Sequence, residues 1–172
     1  MQKLEKISNS TVVKVLFVGK ENAARSLIAE ACLRHLGKGR FQVFSCGVPS
    51  KTLEKPNDWA LFALQQAGIP AQGLHCKDWR AFARRGAAPM DFVIALDDSV
   101  AIDHPAWPGQ PELALWSYPP LVRKKQNSTA LGLAALQTMH SLRVRIELLV
   151  SLQSRAGSAQ DLRHDLRDMA HL

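Results

Sequence analysis

Short apolar runs alternate with amphipathic stretches along this chain. Residues 11–18, TVVKVLFV, are β-branched and almost wholly apolar, which is typical of a strand buried on both faces of a parallel sheet. Residues 41–46 alternate between apolar and polar side chains, and residues 91–96 and 112–116 form two further apolar runs. The pattern therefore predicts four strands.

Helical periodicity occupies most of the sequence between these strands. We expect one helix over residues 23–36, where Gly37 and Gly39 end the apolar face, and another that begins at Pro56 and stops at Gly68. Because strands and helices alternate with short connections, the sequence predicts an α/β domain. Its core would be a four-stranded parallel sheet flanked by helices on both faces.

Two more helices are expected outside these units. Residues 78–85 predict a short basic helix, and residues 129–153 predict a long one for which Ser128 is a candidate N-cap. The side chains expected to pack inward from the long helix are Leu131, Ala134, Ala135, Leu142, Ile146 and Leu149.

The length of 172 residues fits one domain, which we place at residues 1–157, followed by a C-terminal helical segment over residues 158–172. In that segment Leu162, Leu166 and Met169 lie on one stripe of an otherwise charged helix. The extra helix is expected either to dock on the domain or to meet a partner.

The composition is that of a chain able to bury a core. Hydrophobic residues make up 47% and charged residues 22% of the sequence, which excludes a disordered or low-complexity chain. No apolar run approaches the ~20 residues that span a bilayer, and the N-terminus MQKLEKISNS is too polar for a signal peptide. We expect a cytoplasmic protein with no membrane partner.

Cysteine and histidine spacing predicts neither a disulfide framework nor a metal site. The three cysteines are Cys32, Cys46 and Cys76, an odd number with no CxxC pair. His75, His104 and Asp97 are residue types that bind metals, but they lack the spacing of a zinc site. We therefore expect no metal and no cofactor.

Basic residues outnumber acidic ones, with 22 Lys and Arg against 15 Asp and Glu, so the formal net charge is +7. Such a charge favours anionic partners. The basic residues are spread along the chain, with small groups at Arg84–Arg85 and Arg123–Lys125, and aromatic residues make up only 6%. Specific binding of nucleic acid is therefore not expected.

The loop GKENAARS, residues 19–26, joins the first strand to the first helix. A loop in this position presents unpaired N–H groups to an anion at the helix N-terminus. Arg25 could clamp an oxyanion, Asn22 tolerates left-handed backbone, and Ser26 could hydrogen-bond whatever occupies position 19. The loop does not match the Walker pattern, because no Gly-Lys-Ser/Thr stands at the required spacing.

The segment VLFVGKENAARSLIAEACLRH resembles the signature of the low-molecular-weight protein tyrosine phosphatases and of the thioredoxin-coupled arsenate reductases that share their fold. The resemblance extends over residues 12–152, through FSCGV and the segment that ends at Trp116. It implies that the family's nucleophilic cysteine corresponds to Gly19. The residues that fall in register are Asn22, Arg25, Ser26, Ala29 and Glu30.

The residues that perform two catalytic roles in the family are missing from this sequence. Gly19 offers no atom that can attack phosphorus. The general-acid aspartate of the family corresponds to the stretch after Trp116, where Pro119 and Pro120 cannot donate a proton. The relay cysteines of the reductases are also missing, because Asp97 and His104 stand in their region.

These departures predict a catalytically inactive protein that retains an oxyanion-binding loop. Phosphate, sulfate, another oxyanion or a phosphorylated partner would bind there. The binding residues expected are Gly19, Lys20, Glu21, Asn22, Ala23, Ala24, Arg25 and Ser26. The direction of Glu21 is left open, because a carboxylate turned into the cavity would oppose an anion, and one turned outward would not.

Two alternatives belong to other functional classes. The first is an active phosphatase or reductase-like enzyme that uses an unrecognised nucleophile or a water held by the loop. The second is an interaction or scaffold protein that uses its basic surface and residues 158–172. Separately, Cys76 beside His75 is either a reactive thiol or an incidental one. The group Arg123–Lys125 could present positive charge at the pocket mouth or form a solvated turn.

Overall fold

The computed structural model describes residues 12–121, 126–156 and 159–169, so the group Arg123–Lys125 lies outside the described residues. The strands are β1 (Val13–Val18), β2 (Phe41–Cys46), β3 (Phe92–Ala95) and β4 (Glu112–Leu115). The helices are α1 (Arg25–Gly37), α2 (Asp58–Gln66), α3 (Arg80–Ala83), α4 (Asp98–Ile102), α5 (Ser128–Arg155) and α6 (Ala159–Met169).

The four strands form one parallel sheet in the order β2-β1-β3-β4, as the alternating sequence pattern predicts. From the central strand β1 the chain first crosses to β2 on one side, and it later returns to β3 on the other. The point between β1 and β3 where the order reverses is where ligands bind in open parallel sheets, beyond the carboxyl ends of the strands. The loop after β1 opens there.

Helices cover the two faces of the sheet unequally. Helices α1, α2 and α5 pack together on one face and bury the larger core, which includes Phe17, Ile28 and Trp116. The other face has a smaller core, which includes Leu16, Val93 and Val100, and only the short helices α3 and α4 lie over it. No helix among the described ranges is long and apolar enough to cross a membrane.

Helix ends differ in detail from the predictions. Ser128 is the first residue of α5 and not its cap, because the side chain of Asn127 accepts the hydrogen bond from the N–H of Ala130. Helix α1 runs through Gly37, whose missing Cβ makes room for Phe41, and it ends at the left-handed residue Lys38. On α5, Ala135, Leu142, Ile146 and Leu149 are buried, and Leu131 and Ala134 are half-buried.

The apolar stripe of the C-terminal helix α6 packs against the core of the same chain. Leu162, Leu166 and Met169 of α6 are buried in the larger core, and Arg167 forms an ion pair with Glu112 of β4. The short helix α4 was not expected from the sequence. Its N-cap is Asp97, whose side chain accepts a hydrogen bond from the N–H of Ser99.

Candidate functional site: the loop after β1

Neighbouring segments hydrogen-bond three carbonyl groups of this loop. The N–H of Val48 donates to the carbonyl of Lys20 at 2.9 Å, and the N–H of Leu53 donates to that of Glu21 at 3.1 Å. The N–H of Asn57 donates to the carbonyl of Ala23 at 2.7 Å. Because each of these carbonyls is held by a neighbouring segment and a trans peptide directs its N–H the opposite way, the N–H groups of Glu21, Asn22 and Ala24 point away from those segments.

These N–H groups have no acceptor within the described part of the chain. The N–H of Gly19 bonds to the carbonyl of Cys46 at 3.0 Å, but the backbone N–H groups of residues 20–26 donate to none of the described residues. The last of them belong to the first turn of α1, whose N-cap Ala24 supplies no side-chain oxygen. A run of unpaired donors at a helix N-terminus is a binding site for an anion.

A buried asparagine fixes the curvature of the loop. Asn22 has a φ of 51°, in the left-handed region, and is only 1% exposed. Its Nδ2 donates to Ser26 Oγ at 2.8 Å and to Ser45 Oγ at 2.9 Å, and its Oδ1 accepts from the N–H of Lys77 at 2.9 Å. The side chain thus ties the middle of the loop to its C-terminal end, to β2 and to the segment before α3.

The hydrogen bonds that hold Asn22 extend, through Ser45, to the buried carboxylate of Glu30. Ser45 Oγ donates to Glu30 Oε2 at 2.5 Å, and Arg34 Nη2 donates to Glu30 Oε1 at 2.6 Å. Lys77 Nζ lies 3.5 Å from Glu30 Oε2, so two cations compensate the charge of this nearly buried group. Sequence reasoning assigned no role to Ser45 or Lys77. The FSCGV segment points to Ser45, and no sequence signal marks Lys77.

Arg25 lines the cavity but already holds partners within the chain. Its Nη2 lies 3.0 Å from Asp97 Oδ2, and its Nη1 donates to the carbonyl of Tyr118 at 2.5 Å. Burial raises the pKa of Asp97, but hydrogen bonds from Ser99 and Arg25 outweigh it and hold the pKa below its usual value. Among described acceptors none is bonded to Nε of Arg25. An anion in the loop would therefore share this guanidinium with Asp97.

The residues predicted for the site surround one cavity of about 510 Å³. Its lining consists of residues 19–26 together with Leu53, Asn57, Pro120 and Leu121. Gly19 contributes only backbone, and a Cβ added there would lie 2.9 Å from Ser26 Oγ. Lys20 and Glu21 are exposed, and neither forms an ion pair with a described residue.

None of the three cysteines lies in the lining of this cavity. Burial raises the pKa of Cys32 to about 12 and raises the pKa of Cys46 further, so both stay protonated thiols at neutral pH. Burial also raises the pKa of the half-buried Cys76 thiol, while nearby Lys77 lowers it in part. A nucleophilic thiolate needs the opposite shift.

His75 and His104, the two histidines considered as metal ligands, lie outside the cavity, and so does His140. His75 Nδ1 is 3.1 Å from the carbonyl of Gly73, and the ring of His104 stacks on Trp107. His140 is exposed on α5. Within the described ranges no three His, Cys, Asp or Glu side chains are grouped to hold a metal ion.

Comparison with known proteins identifies relatives of this fold. Residues 14–109 match the model of the family described as low molecular weight phosphotyrosine protein phosphatase. No curated protein matches the sequence. Among solved structures, the thioredoxin-dependent arsenate reductase of Corynebacterium glutamicum matches 83% of this chain over 62% of its own length, with 22% identity and a TM-score of 0.60.

Two other similar structures contain, by their descriptions, a bound oxyanion or a phosphate-binding state. An arsenate reductase in the phosphate binding state matches 81% of this chain and 97% of its own, with 22% identity and a TM-score of 0.58. The tyrosine phosphatase Wzb from Escherichia coli K30 in complex with sulphate matches 79% and 97%, with 20% identity and a TM-score of 0.59. At these identities the likeness concerns the fold.

Proposed function

Since this chain belongs to the low molecular weight phosphotyrosine protein phosphatase family, we propose that it keeps the anion-binding loop as a binding site and has lost the catalysis. Its ligand is a tetrahedral oxyanion: phosphate, sulfate, arsenate or the phosphoryl group of a phosphorylated partner. The backbone N–H groups of residues 20–26 bind it, with Nε of Arg25 as a further donor. Asn22 and Ser26 brace the loop.

The observation that carries this proposal is the run of N–H donors in residues 20–26, which belong to residues that line a cavity and have no acceptor among the described residues. Leaving such groups unpaired costs free energy in a dry site, and an anion or water must satisfy them. An active relative places a thiolate beside the incoming dianion. Gly19 removes that negative charge, so an anion enters without repulsion from the floor of the site.

Loss of catalysis follows from the residues around the same cavity. Gly19 has no nucleophilic atom, and Pro120 in the wall has no proton to give to a leaving oxygen. Ser26 carries the one hydroxyl among the described residues of the lining, and its Oγ accepts a hydrogen bond from Asn22 but donates to no described acceptor that could remove its proton. The bound group therefore stays unmodified.

Calorimetric titration with phosphate, sulfate and arsenate tests this function. We expect saturable binding of each to the unmodified chain. Arg25→Lys keeps a positive charge but loses Nε of the guanidinium, and it should weaken binding about tenfold. Arg84→Lys, at an exposed position outside the cavity lining, is the matched control and should bind normally. Absence of any heat at millimolar ligand would remove the proposal.

Restoring the two missing groups tests the cause of inactivity. Gly19→Cys with Pro120→Asp should gain measurable hydrolysis of an aryl phosphate. Gly19→Ser with Pro120→Asp is the control with the same number of side-chain atoms and should stay inactive, since a serine hydroxyl is not activated here. Turnover by the unmodified protein that disappears in Arg25→Lys would instead favour the alternative of an unrecognised nucleophile.

A further inference from the structure

The guanidinium of Arg25 is held at two of its three nitrogens. Its Nη2 lies 3.0 Å from Asp97 Oδ2, and its Nη1 donates to the carbonyl of Tyr118 at 2.5 Å. Because a guanidinium is planar and rigid, two fixed nitrogens also fix the direction of the third. The direction of Nε, which the proposed function uses as a donor to the anion, therefore depends on the two groups that hold Nη1 and Nη2.

The carbonyl of Tyr118 lies beyond the end of β4, in a peptide group that has no N–H. Strand β4 ends at Leu115, and the N–H of Tyr118 donates to the carbonyl of Leu96 at 3.1 Å. The next peptide group contains the carbonyl that accepts from Arg25, and its nitrogen belongs to Pro119, which has no hydrogen to donate. The orientation of this carbonyl therefore depends in part on how firmly the tyrosine side chain is held.

Helix α5 holds the ring of Tyr118 from two positions that are one turn apart. Tyr118 Oη lies 3.0 Å from Ser141 Oγ, within hydrogen-bond distance. The guanidinium carbon Cζ of Arg145 lies over the same ring, 5.3 Å from its centre, and 5.8 Å from the centre of the Trp116 ring. A cation within about 6 Å of an aromatic face is attracted to it. Because Trp116 is completely buried, Arg145 joins the tyrosine ring to a fixed part of the core.

The two aromatic rings are the contacts that the structure gives to the charge of Arg145. This half-buried arginine forms no ion pair with a described residue. By contrast Arg143, two residues earlier on the same helix, lies 3.0 Å from Glu147 and is paired with it. The charge of Arg145 is therefore directed at the rings of Trp116 and Tyr118 and not at a carboxylate.

We infer that Arg145 is a positioning residue of the anion site: it holds the ring of Tyr118 and thereby fixes the carbonyl that orients the guanidinium of Arg25. Arg145 does not line the anion cavity, so it acts through Tyr118 and touches no ligand. The inference rests on the proposed function, because the group that it positions is the donor Nε of Arg25. It makes α5 part of the binding site although this helix contributes no residue to the lining.

Calorimetric titration with phosphate tests the effect on binding. Arg145→Met removes the cation but keeps an unbranched side chain, and it should weaken phosphate binding about fivefold. Arg143→Met is the matched control, because it removes the same charge from the same helix, and it should bind normally. Arg145→Lys keeps a cation and should recover part of the lost affinity. The ratio between the two methionine variants should persist at high salt, which screens long-range attraction to the anion.

Nitrogen-15 NMR of the Arg25 side chain tests the positioning without any anion, and Arg25→Lys identifies its signals by their loss. With both Nη groups held by hydrogen bonds, rotation of the guanidinium is slow and its Nη protons should give separate signals. These signals should merge in Arg145→Met and stay separate in Arg143→Met and Arg145→Lys.

The two measurements distinguish this inference from the proposed function. Merged signals in Arg145→Met support the positioning role even if no variant binds phosphate, a result that would remove the proposed function alone. Separate signals in a folded Arg145→Met protein would overturn the inference, whatever its affinity. Equal losses of affinity in Arg143→Met and Arg145→Met, or a loss that disappears at high salt, would also overturn it, because the effect would then come from net charge.

Discussion

Gly47, directly after β2, lies close to the anion loop, and the space for its missing side chain is taken by neighbouring atoms. A Cβ at this position would lie 2.7 Å from Thr52 Oγ1 and 3.0 Å from the backbone N of Asn22. The first contact is shorter than real Cβ atoms make, and the second is so tight that the backbone of Asn22 would have to shift. Asn22 is the left-handed residue that curves the loop. The absence of a side chain at residue 47 therefore allows the loop to keep its shape, although Gly47 itself does not line the cavity.

Gly47→Ala should therefore displace Asn22. We expect phosphate affinity to fall at least about tenfold and the free energy of unfolding to fall by about 1–3 kcal/mol, measured by calorimetry and by urea denaturation. The double variant G47A/T52A relieves only the contact with Thr52 and should remain impaired. Full recovery of affinity in that double variant would show that the approach to Asn22 is unimportant.

Asp97 competes with any bound anion for Arg25. Asp97→Asn removes a negative charge near the cavity, so phosphate affinity should rise several-fold. The same change should lower the free energy of unfolding at neutral pH by about 2 kcal/mol, because a hydrogen-bonded ion pair is lost. Both effects are measurable, by calorimetry and by urea denaturation, and weaker phosphate binding in Asp97→Asn would contradict the competition.

The pH dependence of the Asp97 effect has a definite sign. The pKa of Asp97 is lowered in the folded protein, so its stabilisation is present above the unfolded pKa of about 3.9 and is lost as the pH falls through the folded pKa. The stability difference between the unmodified chain and Asp97→Asn should vanish at low enough pH. A difference that persists unchanged in acid would assign the effect to packing.

Residues of the loop itself were predictable from sequence, but their distant partners were not. Asn22 tolerates left-handed backbone, and the loop places Arg25 at a helix start, so local chemistry indicated both. The partners of Arg25 lie 72 and 93 residues further along the chain, at Asp97 and Tyr118. No short-range pattern brings those residues to the loop, and only the crossing of β1 to β3 does so.

At the scale of elements, two helices use the same capping chemistry for different purposes. Asn57 caps α2, accepting from the N–H groups of Trp59 and Ala60, and it also lines the cavity and donates its own N–H to Ala23. Asn127 caps α5 by accepting from Ala130 and does not line the cavity. Asn57 therefore links the stability of α2 to the geometry of the anion loop, whereas Asn127 stabilises only α5.

The two caps form a matched pair for mutation. Asn57→Ala and Asn127→Ala should each lower the free energy of unfolding by about 1 kcal/mol in urea denaturation. Only Asn57→Ala should weaken phosphate binding, because fraying of α2 loosens the hydrogen bond that orients the carbonyl of Ala23. Equal losses of affinity in both variants would mean that binding follows general stability and not loop geometry.

Periodicity predicted the strands and the long helices because burial imposes their patterns directly. It failed for α4, which has five residues and one buried side chain, Val100, too short for a helical period to emerge. It also assigned the α5 cap to Ser128 where the neighbouring Asn127 performs that role. Both residue types cap helices, so the choice depends on the backbone angles and not on the sequence pattern.

At the scale of the whole molecule, α6 closes one side of the core. Leu166 is 1% exposed and Leu162 is 2% exposed, both within the core that α1 and α5 build. Arg167 anchors the helix to β4 through Glu112. The sequence pattern of residues 158–172 was compatible with docking on the domain or with binding a partner. In the structure the apolar stripe of α6 packs into the larger core of the same chain.

Leu166→Ala tests whether α6 unfolds with the domain. We expect a loss of about 2–4 kcal/mol in the free energy of unfolding, in a single cooperative transition in urea. Ile102→Ala is the control, since Ile102 is 86% exposed, and it should leave the midpoint unchanged. An unchanged midpoint in Leu166→Ala would show that the helix is a separate, dispensable tail.

The central claim is that the loop after β1 binds a phosphoryl group and leaves it intact. Phosphorus-31 NMR of phenyl phosphate mixed with the purified protein observes both halves at once. We predict a shifted or broadened ester signal that Arg25→Lys largely restores to its free position, with no inorganic phosphate accumulating. A growing inorganic phosphate signal that depends on Arg25, or an ester signal unaffected by the protein, would contradict the account.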